Sequence, residues 1–293
     1  MTPGDRVAPG TAAGSVLVRD LLTGPVRAAP VVAAGPAATY LDAGGRLVAV
    51  VQPGGVHLPC AVVLTGSGPS PGAPRWAGAS GLGVTAGFAV GGGAVHRDGR
   101  VVAVVTRWFD PRVRLGAVDP DAVARLGALV GARERRDALL PAGAAEHLGG
   151  GLARGDARAA AAALLGRGTG LTPAGDDLVA GALAALRAQA SPGADDLGAA
   201  VRSLAPARTT RLSAALLAAA DVGAVIPEAA AVLRALAPHA ERPGRDGSGG
   251  GLEAAVDRLV GVGHTSGWHL AAGLLTGLGH ARQGAGTLAR SAP

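Results

Sequence analysis

The chain has 293 residues and a mass of 28.2 kDa, long enough for one large or two ordinary domains with a real core. A 48% hydrophobic content and a mean hydropathy of +0.33 exclude disorder despite 49 glycines and 20 prolines, and 2% aromatics excludes a nucleic-acid binder that works by stacking bases. The formal charge of +6 is carried by arginine alone; having no lysine excludes Schiff-base chemistry and the Walker lysine, and a single cysteine, Cys60, excludes a disulfide framework or zinc ribbon.

The segment opening the chain carries Asp5, Arg6, Arg19 and Asp20 without an apolar core, and no apolar run approaches membrane-spanning length. Neither a signal peptide nor a membrane span is expected, and a cytoplasmic location follows by default. From Ser15 to Val113 short β-branched runs alternate with turn residues, predicting strands at Ala38 to Asp42, Arg46 to Val51, Pro59 to Leu64, Thr85 to Val90 and Arg100 to Trp108. Gly44-Gly45 and Asp98-Gly99 are hairpin signals, because a tight turn needs residues that tolerate positive φ. Residues Gly66 to Gly81, rich in Gly, Pro and Ser, read as a long loop.

Beyond Pro111 the spacing becomes helical. Helices are predicted at Asp121 to Leu129, Asp156 to Leu165, Ala174 to Gln189, Ala194 to Leu204, Thr210 to Ala220, Ile226 to Leu236, Leu252 to Val260 and Gly267 to Leu278. The cluster Arg133, Glu134, Arg135, Arg136 reads as a solvated helix face rather than a nucleic-acid patch, and Glu241 to Gly251 as a mobile surface loop. The expected fold is α+β: a small antiparallel β sheet or barrel over residues 1–115, then an α-helical domain over residues 116–293. No βαβ alternation supports a doubly wound sheet.

The strongest local feature runs from Gly166 to Asp177, where Gly166, Gly168 and Gly170 alternate and lead into a helix start. Thr172 is placed to cap that helix, with Pro173 at its first position. A glycine loop ending in a helix N-terminus offers N–H groups and partial positive charge to phosphate or carboxylate. It lacks both the Rossmann and the Walker pattern. Asp176 and Asp177 in the first turn either complement the helix dipole or present a carboxylate to a ligand, or to Mg²⁺ beside a phosphate. Neighbours on a helix point about 100° apart, so one is expected to be functional and one structural; Asp177 is taken as the functional one.

A shift of 92 residues lays Gly175, Leu178, Ala180 and Gly181 on Gly267, Leu270, Ala272 and Gly273. Either this is an internal repeat whose two helix starts converge on one ligand, with Asp177 and His269 equivalent, or it is coincidence in an alanine- and glycine-rich chain. His264, beside Thr265, Ser266 and Gly267, is a candidate for proton transfer near neutral pH or a capped loop histidine. Thr209 and Thr210, with Arg211 nearby, are caps or anion ligands; Arg167 in the glycine loop has the fork that suits phosphate.

In Gly166 to Asp177, Thr209 to Ser213 and Gly263 to Gly267 the chain resembles a family long labelled a domain of unknown function, which includes AllH, a subunit associated with oxamate carbamoyltransferase in allantoin catabolism. Two positions depart from its usual pattern: Ala174 stands where it has Ser, and His269 where it has Asp. The resemblance implies a cytoplasmic carbamoyltransferase subunit that works with other subunits on carbamoyl phosphate, oxamate or oxalurate. Such chemistry needs a phosphate cradle, oxyanion donors and a carboxylate anchor. The resemblance assigns no residue roles; from their own positions, Asp177 and His264 are the expected catalytic residues. Substrate binding falls to Arg167, Gly168, Gly170, Thr172, Gly175, Asp176, Thr209, Thr210, Thr265, Ser266 and Gly267; no cofactor is required, and Mg²⁺ beside a bound phosphate is the candidate. The competing readings are a non-catalytic ligand-binding or assembly module, and a metal-dependent phosphohydrolase or kinase. The latter lacks a second carboxylate motif.

Overall fold

A computed structural model describes residues 9–65, 87–134, 140–238 and 251–290, with side chains to residue 281. The chain divides into two compact units, Met1–Asp110 and Pro111–Pro293.

The first unit is a sheet of nine strands: β1 (Gly10–Ser15), β2 (Arg27–Ala28), β3 (Val31–Ala34), β4 (Ala38–Asp42), β5 (Leu47–Val51), β6 (Ala61–Leu64), β7 (Phe88–Gly91), β8 (Ala94–Arg97) and β9 (Arg100–Phe109), with a short helix α1 (Arg19–Thr23) after β1. Their spatial order is β2-β7-β8-β9-β1-β6-β5-β4-β3, so β2 and β3 form the edges. The expected sheet before helices is present, and its pairing is mixed. Most neighbours are antiparallel, whereas β1 runs parallel to β9 and β5 parallel to β6. β5, Leu-Val-Ala-Val-Val, is buried at every residue, as a strand covered on both faces must be. Both hairpin signals form turns: Gly44 and Gly45 have φ of 71° and 86°, and Asp98 and Gly99 of 50° and 75°.

The second unit is helical: α2 (Pro120–Ala132), α3 (Ala144–Ala153), α4 (Ala157–Leu164), α5 (Ala174–Ala188), α6 (Gly193–Arg208), α7 (Arg211–Ala220), α8 (Pro227–Ala235), α9 (Leu252–Val260) and α10 (Ser266–Arg290). Asp119, Asp156 and Thr210 cap α2, α4 and α7 through their side-chain oxygens. Helix α5 is buried on nearly every side and forms the centre of this unit.

Helix α3 is not among the expected helices, and it carries three consecutive glycines, Gly149 to Gly151. Tertiary packing decides otherwise: a Cβ on Gly151 would stand 2.5 Å from the Cβ of Ala160, so the glycine is what lets α3 close on α4. Arg133, on the expected solvated face, pairs with Asp257 at 2.6 Å and Glu253 at 3.3 Å. Arg135 and Arg136, Gly66 to Gly81 and the expected loop up to residue 250 lie outside the described residues.

Candidate functional site at two helix starts

Between α4 and α5 the chain turns through Gly166, Gly168 and Gly170, all at positive φ (79°, 119° and 87°), where L side chains are strained. Close approach adds a second demand at two of them. A Cβ on Gly166 would run into the carbonyl of Arg208 and one on Gly168 into the backbone N of Ala174, while Gly170 has open space around it. Gly175 presses against Leu164, its Cβ position 2.9 Å from that carbonyl carbon, and its N–H donates to Arg167 O at 2.8 Å.

Helix α5 begins at Ala174, so Pro173, not Thr172, is the N-cap, and it supplies no side-chain bond. The carbonyl of Pro173 instead accepts from the N–H groups of Asp176 (2.9 Å) and Asp177 (3.2 Å). Thr172 is thereby freed to place its hydroxyl 2.9 Å from that of Ser266, the first residue of α10.

The two aspartates differ as their 100° separation requires. Asp176 is 1% exposed. Its Oδ1 accepts from the Gly166 N–H at 2.7 Å, and its Oδ2 accepts from the Ser213 hydroxyl at 2.7 Å and from the Thr209 hydroxyl. One carboxylate thus ties the glycine loop, the link between α6 and α7, and α7 itself to the central helix. Burial raises its pKa above the usual carboxylate range, opposed by those three bonds.

Asp177 is 9% exposed, and its Oδ2 is buried with no hydrogen-bond partner. Burial pushes its pKa well up, the neighbouring Asp176 charge adds to this, and the hydroxyls of Ser266 and Thr172 oppose it. It therefore sits where the starts of α5 and α10 meet, with two hydroxyls beside it.

The meeting of the helices is reciprocal. A Cβ on Gly181 would collide with Leu270 O and lie 2.8 Å from Leu274 N; one on Gly273 would collide with Leu178 O and lie 3.0 Å from Ala182 N. Each of these atoms maps onto its counterpart under the shift of 92 residues. Gly267 likewise repeats Gly175, pressed against Leu259 near the end of the preceding helix. The repeat seen in the sequence is thus a local two-fold relation in space, with glycine pairs permitting the close crossing. Gly277 lies against Ala182 and Ala185, so contacts advance together along both helices and the two run in the same sense. Under this relation Asp177 corresponds to His269, Thr172 to His264 and Asp176 to Trp268. Asp176 ties α5 to α7, and Trp268 Nε1 ties α10 to α2 by donating to Val130 O at 3.0 Å.

The three singled-out segments therefore converge, and their residues divide. Thr172, Asp177 and Ser266 form one cluster, and Asp176 and Thr209 bind each other. Thr210 caps α7 through Ser213 N (3.0 Å) and donates its hydroxyl to Leu171 O at 2.5 Å. Arg167 and His264 lie exposed on the two loops, and Thr265 O accepts from His269 N at 3.1 Å. Ser213, outside the expected site residues, is a further member of the Asp176 network, and its place three residues after the cap Thr210 is the signal the sequence offers for it. Leu171, at the loop tip, is 46% exposed. Thr172, Ser266 and Asp177 offer hard oxygens, and among the described residues no group of three or more His, Cys, Asp or Glu could hold a metal. No helix there is long and apolar enough to cross a membrane.

The fold and cluster define an α+β chain whose helical unit pairs two glycine-pressed helix starts over a buried carboxylate. Residues 164–278, less than half the chain, match the family model described as "Oxamate carbamoyltransferase subunit AllH". The match begins at the end of α4 and ends within α10, so it contains all three converging segments. No curated protein and no solved structure matches the chain.

Proposed function

We propose that the chain is a subunit of a carbamoyltransferase-type enzyme that binds a small anionic ligand of the carbamoyl phosphate, oxamate or oxalurate class where α5 and α10 begin. The observation that carries this is the coincidence of the family match with the Thr172, Asp177 and Ser266 cluster. Two helix N-termini supply partial positive charge, and the two hydroxyls supply donors for an oxyanion. Arg167 on the exposed loop suits a phosphate or carboxylate end. Asp177 serves as the proton-holding group and His264 as its exposed partner in proton transfer, with other subunits completing the site.

A second reading is favoured by the packing. Gly166, Gly168, Gly175 and Gly267 are each explained by backbone approach, as an assembly module without chemistry of its own would require. Thermal unfolding with carbamoyl phosphate, oxamate and Mg²⁺, singly and paired, separates the two. Saturation to about 100 times Kd stabilises by about 2.7 kcal/mol, a shift of several degrees for a chain of this size. A shift abolished by Asp177→Ala supports the enzyme subunit. No shift, also after adding partner subunits recovered by pull-down, leaves the assembly module.

A further inference from the structure

Two adjacent carboxylates are buried in the first turn of α5, and they differ in how their oxygens are met. Both oxygens of Asp176 have donors: the Gly166 N–H at 2.7 Å for Oδ1, and the hydroxyls of Ser213, at 2.7 Å, and Thr209 for Oδ2. Asp177, 9% exposed, holds its Oδ2 buried without a hydrogen-bond partner. A buried acceptor left unmet is a loss that folded chains rarely keep. The two hydroxyls beside it, of Thr172 and Ser266, lie 2.9 Å from each other, so one of their protons is spent between them. What Oδ2 lacks is a donor, and a bound ligand is the remaining source of one.

The ligand class proposed above carries that donor. Carbamoyl phosphate, oxamate and oxalurate each join an anionic end to an N–H group on a carbonyl. Helix N-termini and hydroxyls attract the anionic end of any phosphate or carboxylate alike and leave the N–H unread. A carboxyl reads it, because in either protonation state one of its oxygens is an acceptor. When neutral, the other oxygen donates as well, and a primary amide, with its carbonyl beside its N–H, answers both. The carboxyl torsion of aspartate is broad, so either oxygen can be turned toward the 9% of the residue that stays open. We infer that Asp177 is the specificity-determining residue of this site: it accepts the N–H of a carbamoyl or amide head and so separates such ligands from anions of the same shape that lack one. This rests on the reading of the site proposed above and adds to it which end of the ligand Asp177 meets.

Oxamate and pyruvate decide it, because they share charge and shape and differ only by an amino group in place of a methyl. Both are titrated calorimetrically into the full chain, alone and with partner subunits recovered by pull-down. The same titrations are run on Asp177→Leu and on Asp177→Ala as a second variant, with a circular dichroism melt to show which of them fold. The expected result is oxamate bound at least about tenfold more tightly than pyruvate by the native chain, and bound no better than pyruvate by each folded variant. Equal binding of the two by the native chain overturns the inference and leaves the anion site standing. A preference for oxamate that persists in a folded variant overturns it equally. Binding of neither by the native chain, with or without partner subunits, overturns the reading of the site and this inference with it.

Discussion

At the start of α5 and again at the start of α10 a glycine is pressed onto the end of the preceding helix, and about one and two-thirds turns later a second glycine is pressed onto the partner helix. The steric device is the same in both places; the polar residues hung on it are not. In the first, Asp177 stands beside two hydroxyls with one oxygen unpartnered; in the second, its counterpart His269 turns Nδ1 to a carbonyl of its own helix start. Duplicated packing thus coexists with different polar surroundings at the two equivalent positions. Backbone contact tolerates no side chain at those glycines, whereas positions one turn earlier are free to diverge.

The sharpest way to break this comparison is at the crossing. Gly273→Val and Gly181→Val each place a branched side chain against the partner's backbone, and each is expected to cost about 3 kcal/mol or more in denaturant unfolding. A cheap substitution at either site would mean that the two halves are not packed alike. Next comes Asp176→Ala, which strands the Gly166 N–H and the buried Ser213 hydroxyl for an expected loss of about 2–3 kcal/mol. Asp176→Asn keeps an acceptor and is expected to cost less.

Asp177→Asn sharpens the comparison through pH. A carboxyl whose folded pKa is raised binds its proton more tightly when folded, so its contribution to stability falls as pH rises from the unfolded pKa through the folded one. The native chain should lose stability as the pH climbs above the usual carboxylate range, and Asp177→Asn should flatten part of that fall and be the more stable form at the alkaline end. Parallel curves for the two proteins would show that the carboxyl is not strained by burial. The smallest effect belongs to exposed His264, where alanine is expected to change stability by no more than about 0.5 kcal/mol while removing any ligand-induced shift.

Much of this was legible in the residues. Hairpins at Gly44-Gly45 and Asp98-Gly99 follow from residues that tolerate positive φ, α5 and α9 follow from spacing, and α7 from spacing and its Thr210 cap. β1 escapes prediction because Gly-Thr-Ala-Ala-Gly-Ser carries only one of the branched residues that mark a strand, Thr11; its neighbours, not its propensity, make it one. The roles of Asp176 and Asp177 were separable in kind by their angular offset. Nothing local, however, says that Thr209 and Ser213, more than thirty residues on, would occupy Asp176, or that Ser266 would reach Thr172. Nor could spacing distinguish glycines that admit a backbone from glycines that stand in open space, since the difference lies in which helix stands opposite.

The central position of β1 carries one more consequence, for the order in which the chain is made. The first of the described strands in chain order, β1, pairs on one side with β6, where Ala12 meets Leu64, and on the other with β9, where Gly10 meets Ala103. It must wait for the last strand of its unit before its second edge is covered. A nascent chain stopped short of Arg100 exposes β1 and β8 together as bare edges, the kind of template on which neighbouring polypeptides aggregate. Contacts this distant in sequence also make for slow folding. Translation of this unit should therefore be the stage at which the protein depends most on chaperones.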